Sequence, residues 1–314
     1  MSRRNASATV PAHTHVEDVP LSGAESAVAT SMETPSGKGS KDENFPVGSF
    51  LLPKALRPHV ARFYAFARAI DDIADNPKLA PEDKVARLSG FERALTTDEA
   101  EPGYETAARL RQSLIETHVT PQHGCDLISA FKQDAVKHRY ADWDELIDYC
   151  LRSAAPVGRY LLDLHGEDPR GYSQSDALCN ALQIINHLQD CRDDYEQMDR
   201  VYIPENWLAE AGADVTHLSA PRSSDGLRQV QLRCVRDTQM LMVEARRLPD
   251  RLKSWHLALE SAVIVEIADQ LLRELAGRDP VAERIELSKP QFLWCALKGV
   301  VKTTARRCLS ARRA

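Results

Sequence analysis

From Asn44 onward apolar residues recur at three- and four-residue spacing, and Val, Ile and Thr nowhere alternate with polar residues as a strand requires. The pattern predicts helices over about 54–75, 81–95, 104–117, 121–138, 142–165 and 174–197. A turn-rich stretch follows, with Tyr202, Pro204 and residues 219–226, and then helices over about 226–246, 249–277 and 289–309. Pro53 stands near the first helix start, and Asn76 with Pro77 ends that helix. Pro156 lies inside an apolar helical run, which predicts a kink there. Without a fixed-period repeat or a linker, the expectation is an all-α, single-domain bundle over 43–314. Residues 1–42 are rich in Ser, Thr, Ala, Pro and Gly without periodicity, so a disordered tail is expected there. Arg3 and Arg4 are not followed by an apolar core, and Glu17, Asp18, Glu25 and Glu33 argue against a transit peptide.

Composition adds exclusions. The 314 residues are 27% charged and 43% hydrophobic, an ordinary soluble balance. No apolar run is long enough for a membrane span. A formal net charge of −6 argues against a dedicated nucleic-acid binder. The 7 cysteines are odd in number and form no CxxC, which favours reduced thiols in a cytoplasmic setting over a disulfide framework or structural zinc. The charge is polarised: Lys298, Lys302, Arg306, Arg307, Arg312 and Arg313 occupy the end of the chain without an acidic residue among them. An apolar face with Trp294 precedes them. Two readings stand: peripheral contact with the anionic inner face of a membrane, or an ordinary last helix with cations at its C-terminal end.

Two segments carry candidate chemistry. In the first, Tyr64, Arg68, Asp71 and Asp75 fall within roughly 60° of one another on a helix, while Phe66, Ala69, Ile70 and Ile73 take the other side. In the second, Gln183, Asn186, Asp190 and Asp194 share a face within roughly 80°, opposite Leu178, Ala181, Ile185 and Leu188. A single acidic stripe is usually a solvated face. Two Asp pairs at i, i+4 on helices apolar around the rest of their girth point instead to an interior cleft. Carboxylates crowded there raise each other's pKa, a penalty a divalent cation removes. Carboxylate and amide oxygens are hard donors suited to Mg²⁺, which keeps waters and bridges to phosphate. Arg68 can take a phosphate oxygen pair.

These residues resemble the squalene/phytoene synthase family. Its Asp-rich D-x-x-x-D helix is matched by Asp71 and Asp75, and its Q-x-x-N-x-x-x-D-x-x-x-D helix by Gln183, Asn186, Asp190 and Asp194. An R-x-Y-x-P segment is matched by Arg200, Tyr202 and Pro204, and a preceding Tyr-Cys…Val-Gly helix by Tyr149, Cys150, Val157 and Gly158. The likeness covers about residues 44–300. Within the family it is strongest to the bacterial hydroxysqualene-forming branch, on the opening Glu43 to Pro53 and on Arg152 to Gly158. The chain departs from the two-step synthases at Asn44, Phe45 and Pro46, where those carry serines, and at Gln189, where they carry Arg.

The resemblance implies an isoprenoid synthase bundle with a central apolar cavity and two or three Mg²⁺ between the Asp helices. It implies metal ligands Asp71, Asp75, Asn186, Asp190 and Asp194, and diphosphate contacts from Arg68, Asn44, Gln183, Arg139 and Arg200. As expected catalytic residues, Tyr64 and Tyr149 match family tyrosines near the diphosphate or cation, with a core tyrosine as the bland alternative, and Asp134 matches a family Asp facing the pocket, with a surface helix acid as the alternative. His187 is expected to give a neighbouring hydrogen bond and not to bind metal, and His138 has no identifiable partner. The implied reaction converts presqualene diphosphate and water to hydroxysqualene and diphosphate, without NADPH. It implies coupling to a presqualene diphosphate synthase and a flavoprotein hydroxysqualene reductase. The alternatives are head-to-head condensation of prenyl diphosphates to phytoene, dehydrosqualene or squalene, and a non-catalytic relative acting as an assembly factor.

Overall fold

The computed structural model describes residues 52–99 and 102–311. The expected tail and Asn44 lie outside the described residues. Thirteen α-helices are described: α1 (Arg57–Ala74), α2 (Pro81–Thr96), α3 (Glu105–Thr117), α4 (Gln122–Asp134), α5 (Trp143–Ser153), α6 (Ala155–Leu164), α7 (Tyr172–Gln189), α8 (Cys191–Met198), α9 (Glu205–Glu210), α10 (Asp225–Ala245), α11 (Leu248–Arg251), α12 (Trp255–Gly277) and α13 (Lys289–Ala311). Among the described residues there is no strand.

Four of the expected helices are revised. The helix over 121–138 stops at Asp134, and a connection leads to α5. The helix over 142–165 is two helices parted at Ala154 (φ −123°, ψ −47°). Pro156 explains this: it lacks an N–H and its ring clashes with the carbonyl four residues back, so it sits in the first turn of a new helix. The helix over 174–197 is interrupted at Asp190 (φ −102°, ψ 8°). The ladder continues on both sides, Asp190 N–H to the Asn186 carbonyl at 2.9 Å and Asp194 N–H to the Asp190 carbonyl at 2.8 Å, so the axis bends at the acidic residue instead of ending. The helix over 249–277 is α11 and α12, separated by a Ser254 cap whose hydroxyl accepts from Leu257 N–H. Glu167 reinforces that start by accepting from the Lys253 and Ser254 amides at 2.7 and 2.6 Å.

Two buried apolar clusters form. One joins α1 to α4 around Phe66, Ile70, Phe91, Leu110 and Ile128, with Tyr160 of α6 stacked on Phe63 at 3.9 Å between ring centroids. The other joins α5, α7, α10 and α12 around Tyr149, Leu178, Ile185, Met242 and Ala268, and Leu161 packs against both. Gly158 sets the spacing of α6 on α7, because a Cβ there would lie 2.3 Å from the Ser175 hydroxyl and 2.7 Å from the Cys179 sulfur. The C-terminal end of α1 and the α7–α8 junction, which carry the two Asp pairs, belong to elements of different clusters. The site therefore lies where the two clusters meet.

Candidate active site

The apolar sides of both Asp helices are buried as their periodicity requires: Phe66, Ile70 and Ile73 on α1, and Leu178, Ala181, Ile185 and Leu188 on α7. Their polar stripes consequently face each other. Arg200, itself buried, ties the two halves. One guanidinium nitrogen pairs with the Asp75 carboxylate, and the other donates to the Ala74 carbonyl at 2.9 Å. Arg68 pairs with Asp71 at 2.8 Å and with buried Asp72 at 2.9 Å. Asp72 was not among the expected site residues, although its position four after Arg68 is the signal that finds it.

The carboxylates repel one another. Burial, then Asp75, pushes Asp71 well above the usual carboxylate range. Burial, then Asp190 and Asp75, pushes Asp194 up to about 8. Asp194 thus senses a residue of the other Asp helix, which places the two pairs in one electrostatic site. Arg284 lies 3.4 Å from Asp190. Among the described residues no three His, Cys, Asp or Glu side chains converge into a ready-made metal cluster. Mg²⁺ does not need one: it is commonly held by one or two carboxylates, waters and substrate phosphate. The hard-oxygen donors, and the repulsion that the neighbouring arginines cancel only in part, fit that ion.

Beneath the carboxylates lies a buried polar and aromatic layer. Tyr149 donates to Asp134 at 2.6 Å and Tyr202 donates to its other oxygen at 3.3 Å. Burial raises Asp134 to about 7, against the opposing pull of Arg200 and Tyr149. Tyr202 stacks on His187 with centroids 3.6 Å apart, and on Tyr140 and Tyr149 at 5.5 Å. Burial, then Arg200, lowers His187 to about 3, so its ring is neutral at physiological pH. Gln183 reaches that ring at 3.2 Å, the hydrogen bond expected of His187.

The remaining expected residues divide. Tyr64 and Asn186 are partly buried on the polar stripes of α1 and α7. Arg139 is spent on Asp199, through both its carboxylate and its carbonyl, and its guanidinium lies 5.9 Å from the Tyr195 ring. His138, expected to lack a partner, lies 3.8 Å from Asp199. Sequence reasoning missed Lys84: its ammonium donates to the Ala74 carbonyl at 2.7 Å, the same acceptor Arg200 uses. No local pattern on α2 marks it.

Residues 39–291 match the family model for squalene/phytoene synthase. The chain is 40% identical over 285 residues to the hydroxysqualene synthase of Rhodopseudomonas palustris, covering 89% of this chain and 95% of that one. It is 42% identical over 265 residues to the hydroxysqualene synthase of Zymomonas mobilis, covering 83% and 88%. Among solved structures, squalene synthase HpnC from Alicyclobacillus acidocaldarius superposes with a TM-score of 0.64 at 32% identity, covering 74% of this chain and 88% of that one. A dehydrosqualene synthase with bound ligand superposes with a TM-score of 0.70 at 18% identity, covering 85% and 94%, a likeness of fold.

Proposed function

The chain belongs to the squalene/phytoene synthase family, and on that premise we propose that it converts presqualene diphosphate and water to hydroxysqualene and diphosphate. The observation that carries the choice within the family is the 40–42% identity, over most of the chain, to relatives named hydroxysqualene synthase. The intact Asp pairs and their coupling disfavour a non-catalytic assembly role.

The chemistry follows from the layout. The carbon–oxygen bond to the diphosphate breaks, and the electron pair leaves with the diphosphate. That departure requires positive charge around the leaving oxygens. Arg68 and Arg200 supply guanidinium donors beside the acidic stripes. Asp71, Asp75, Asn186, Asp190 and Asp194 would hold Mg²⁺, which when bound adds Lewis-acid neutralisation of the leaving group. The carbocation rearranges next to apolar walls and the faces of Tyr149 and Tyr202, which attract a cation without reacting as strong nucleophiles. Water then bonds to the cation and sheds a proton. Asp134, held near 7 between two tyrosine hydroxyls, is suited to accept it.

We further place the last helix against an anionic membrane surface. Leu293 and Trp294 are 70% and 62% exposed, and Leu297, Val301 and Leu309 are also open. Residues 293, 297 and 301 follow one another at i+4 on one side of α13. Exposed Lys289, Lys302 and Arg306 flank them. An apolar stripe with a basic border is the composition of a surface-lying helix, and no described helix is long and apolar enough to cross a membrane.

The assay that decides the function incubates the protein with Mg²⁺ and either presqualene diphosphate or farnesyl diphosphate, and identifies the lipid by mass spectrometry. Hydroxysqualene from the first substrate alone is expected. A C30 hydrocarbon from farnesyl diphosphate alone would overturn the reading in favour of head-to-head condensation.

A further inference from the structure

Lys84 reaches from α2 to the last carbonyl of α1. It closes the first turn of α2, where the helix dipole disfavours a cation. It is half-buried, and its ammonium shares the Ala74 carbonyl with Arg200, at 2.7 and 2.9 Å. The two cationic nitrogens are therefore no farther apart than the sum of those two bonds. Burial and the neighbouring guanidinium both weaken its hold on its proton, while Asp75 and Asp134 oppose them. The Ala74 carbonyl closes α1 and has two lone pairs, and Arg200 and Lys84 take one each. The Ala74 bond uses one of three ammonium protons, and among the described residues Lys84 forms no ion pair. Two cations this close, with Arg200 paired to Asp75 and Lys84 in no ion pair, suit an incoming ligand that carries several negative charges.

We propose that Lys84 binds the diphosphate of the substrate and stabilises it as it departs, as a third cation beside Arg68 and Arg200. The inference rests on the reaction proposed above. When the carbon–oxygen bond breaks, the electron pair settles on the diphosphate, and the ammonium donates hydrogen bonds to it without giving up a proton. Lys84 does so from a helix that carries neither Asp motif, so the leaving group is grasped by three separate elements of the chain.

The test uses the full chain and its variants K84M, K84Q and K84R. Turnover of presqualene diphosphate with Mg²⁺ is measured, together with inhibition by added inorganic pyrophosphate. K84M and K84Q should lose roughly tenfold or more in kcat/KM and weaken pyrophosphate inhibition by a similar factor, the worth of one charge-assisted contact. K84R should recover most of both. A lowered Tm with unchanged pyrophosphate inhibition in K84M and K84Q would reduce Lys84 to a structural clamp and overturn the proposal. A wild-type protein inert toward presqualene diphosphate would overturn the reaction instead. Calorimetric titration of pyrophosphate and Mg²⁺ into wild type and K84M, which needs no turnover, then decides on Lys84: equal affinities overturn it and a tenfold loss supports it.

Discussion

Arg200 holds Asp75 from 125 positions farther along the chain, and with its second nitrogen it holds the last carbonyl of the helix that carries Asp75. One side chain thereby sets where the first Asp helix ends relative to the second. R200A should lower kcat by about 10²–10³, and R200K should recover little of it, because a point ammonium cannot serve two acceptors in a fixed fork. Diphosphate release in a single turnover measures this, with far-UV circular dichroism to verify the fold.

Removing one carboxylate from either pair tests the metal assignment. D75A and D190A should each abolish turnover while leaving helical content near wild type; D190A should leave Tm near wild type as well, whereas D75A should lower it, because it leaves buried Arg200 without its carboxylate partner. Neither loss should be rescued by a tenfold rise in Mg²⁺. Full activity in both variants would sink the assignment of these residues to the metal.

The hydrogen bond from Tyr149 lowers the pKa of Asp134. Y149F removes that bond, so the carboxyl should become harder to ionise. If Asp134 takes the proton of the attacking water, the acid limb of the kcat/KM profile should sit near pH 7 in the wild type. It should then shift upward by about one unit in Y149F. An unmoved limb would exclude Asp134 as the titrating group.

Glu260 on α12 is buried, one of its oxygens is unpartnered, and burial raises its pKa to about 7. The unfolded chain releases this proton near the ordinary value of 4.5, so between roughly 4.5 and 7 the folded state binds more protons than the unfolded one. Stability from this group is present at low pH and lost as pH rises through that window. E260Q, which cannot titrate, should match wild type near pH 5 and exceed it at pH 8 by up to about 3 kcal/mol. Urea unfolding at the two pH values measures it, and equal differences at both would refute it.

Vesicle sedimentation tests the last helix. The wild type should co-sediment with vesicles rich in anionic lipid and much less with zwitterionic ones, and high salt should release it. L293E with L297E should abolish binding and leave turnover of detergent-dispersed substrate unchanged. A dimer in solution that these changes dissolve, without vesicle binding by the wild type, would show that the stripe meets a second copy.

Much of this could be read in the residues because helical periodicity is local. The burial of Ile70 and Ile185 and the inward turn of Asp71 and Asp194 follow from spacing on one helix. The break at Ala154 was legible as a kink at Pro156, since proline acts on its own turn. What stayed hidden depends on encounters between distant segments. Lys84 reads as one more charge in a helical first turn, and only the end of α1 beside it gives it a role. Arg139 fits the expected diphosphate set, yet Asp199, left-handed at φ 52°, turns back to claim it. The bend at Asp190 was missed because a tally of faces assumes a straight axis.

The pairing of Arg68 with Asp71 and Asp72 and of Arg200 with Asp75 bears on how the protein is assembled. Part of the negative charge is balanced by the chain's own arginines, so folding does not have to wait for an ion. The polypeptide can reach its native form in a magnesium-poor solution and be charged afterwards. On the metal assignment proposed above, chelation should silence the enzyme reversibly, and restoring the ion should revive it without a refolding lag.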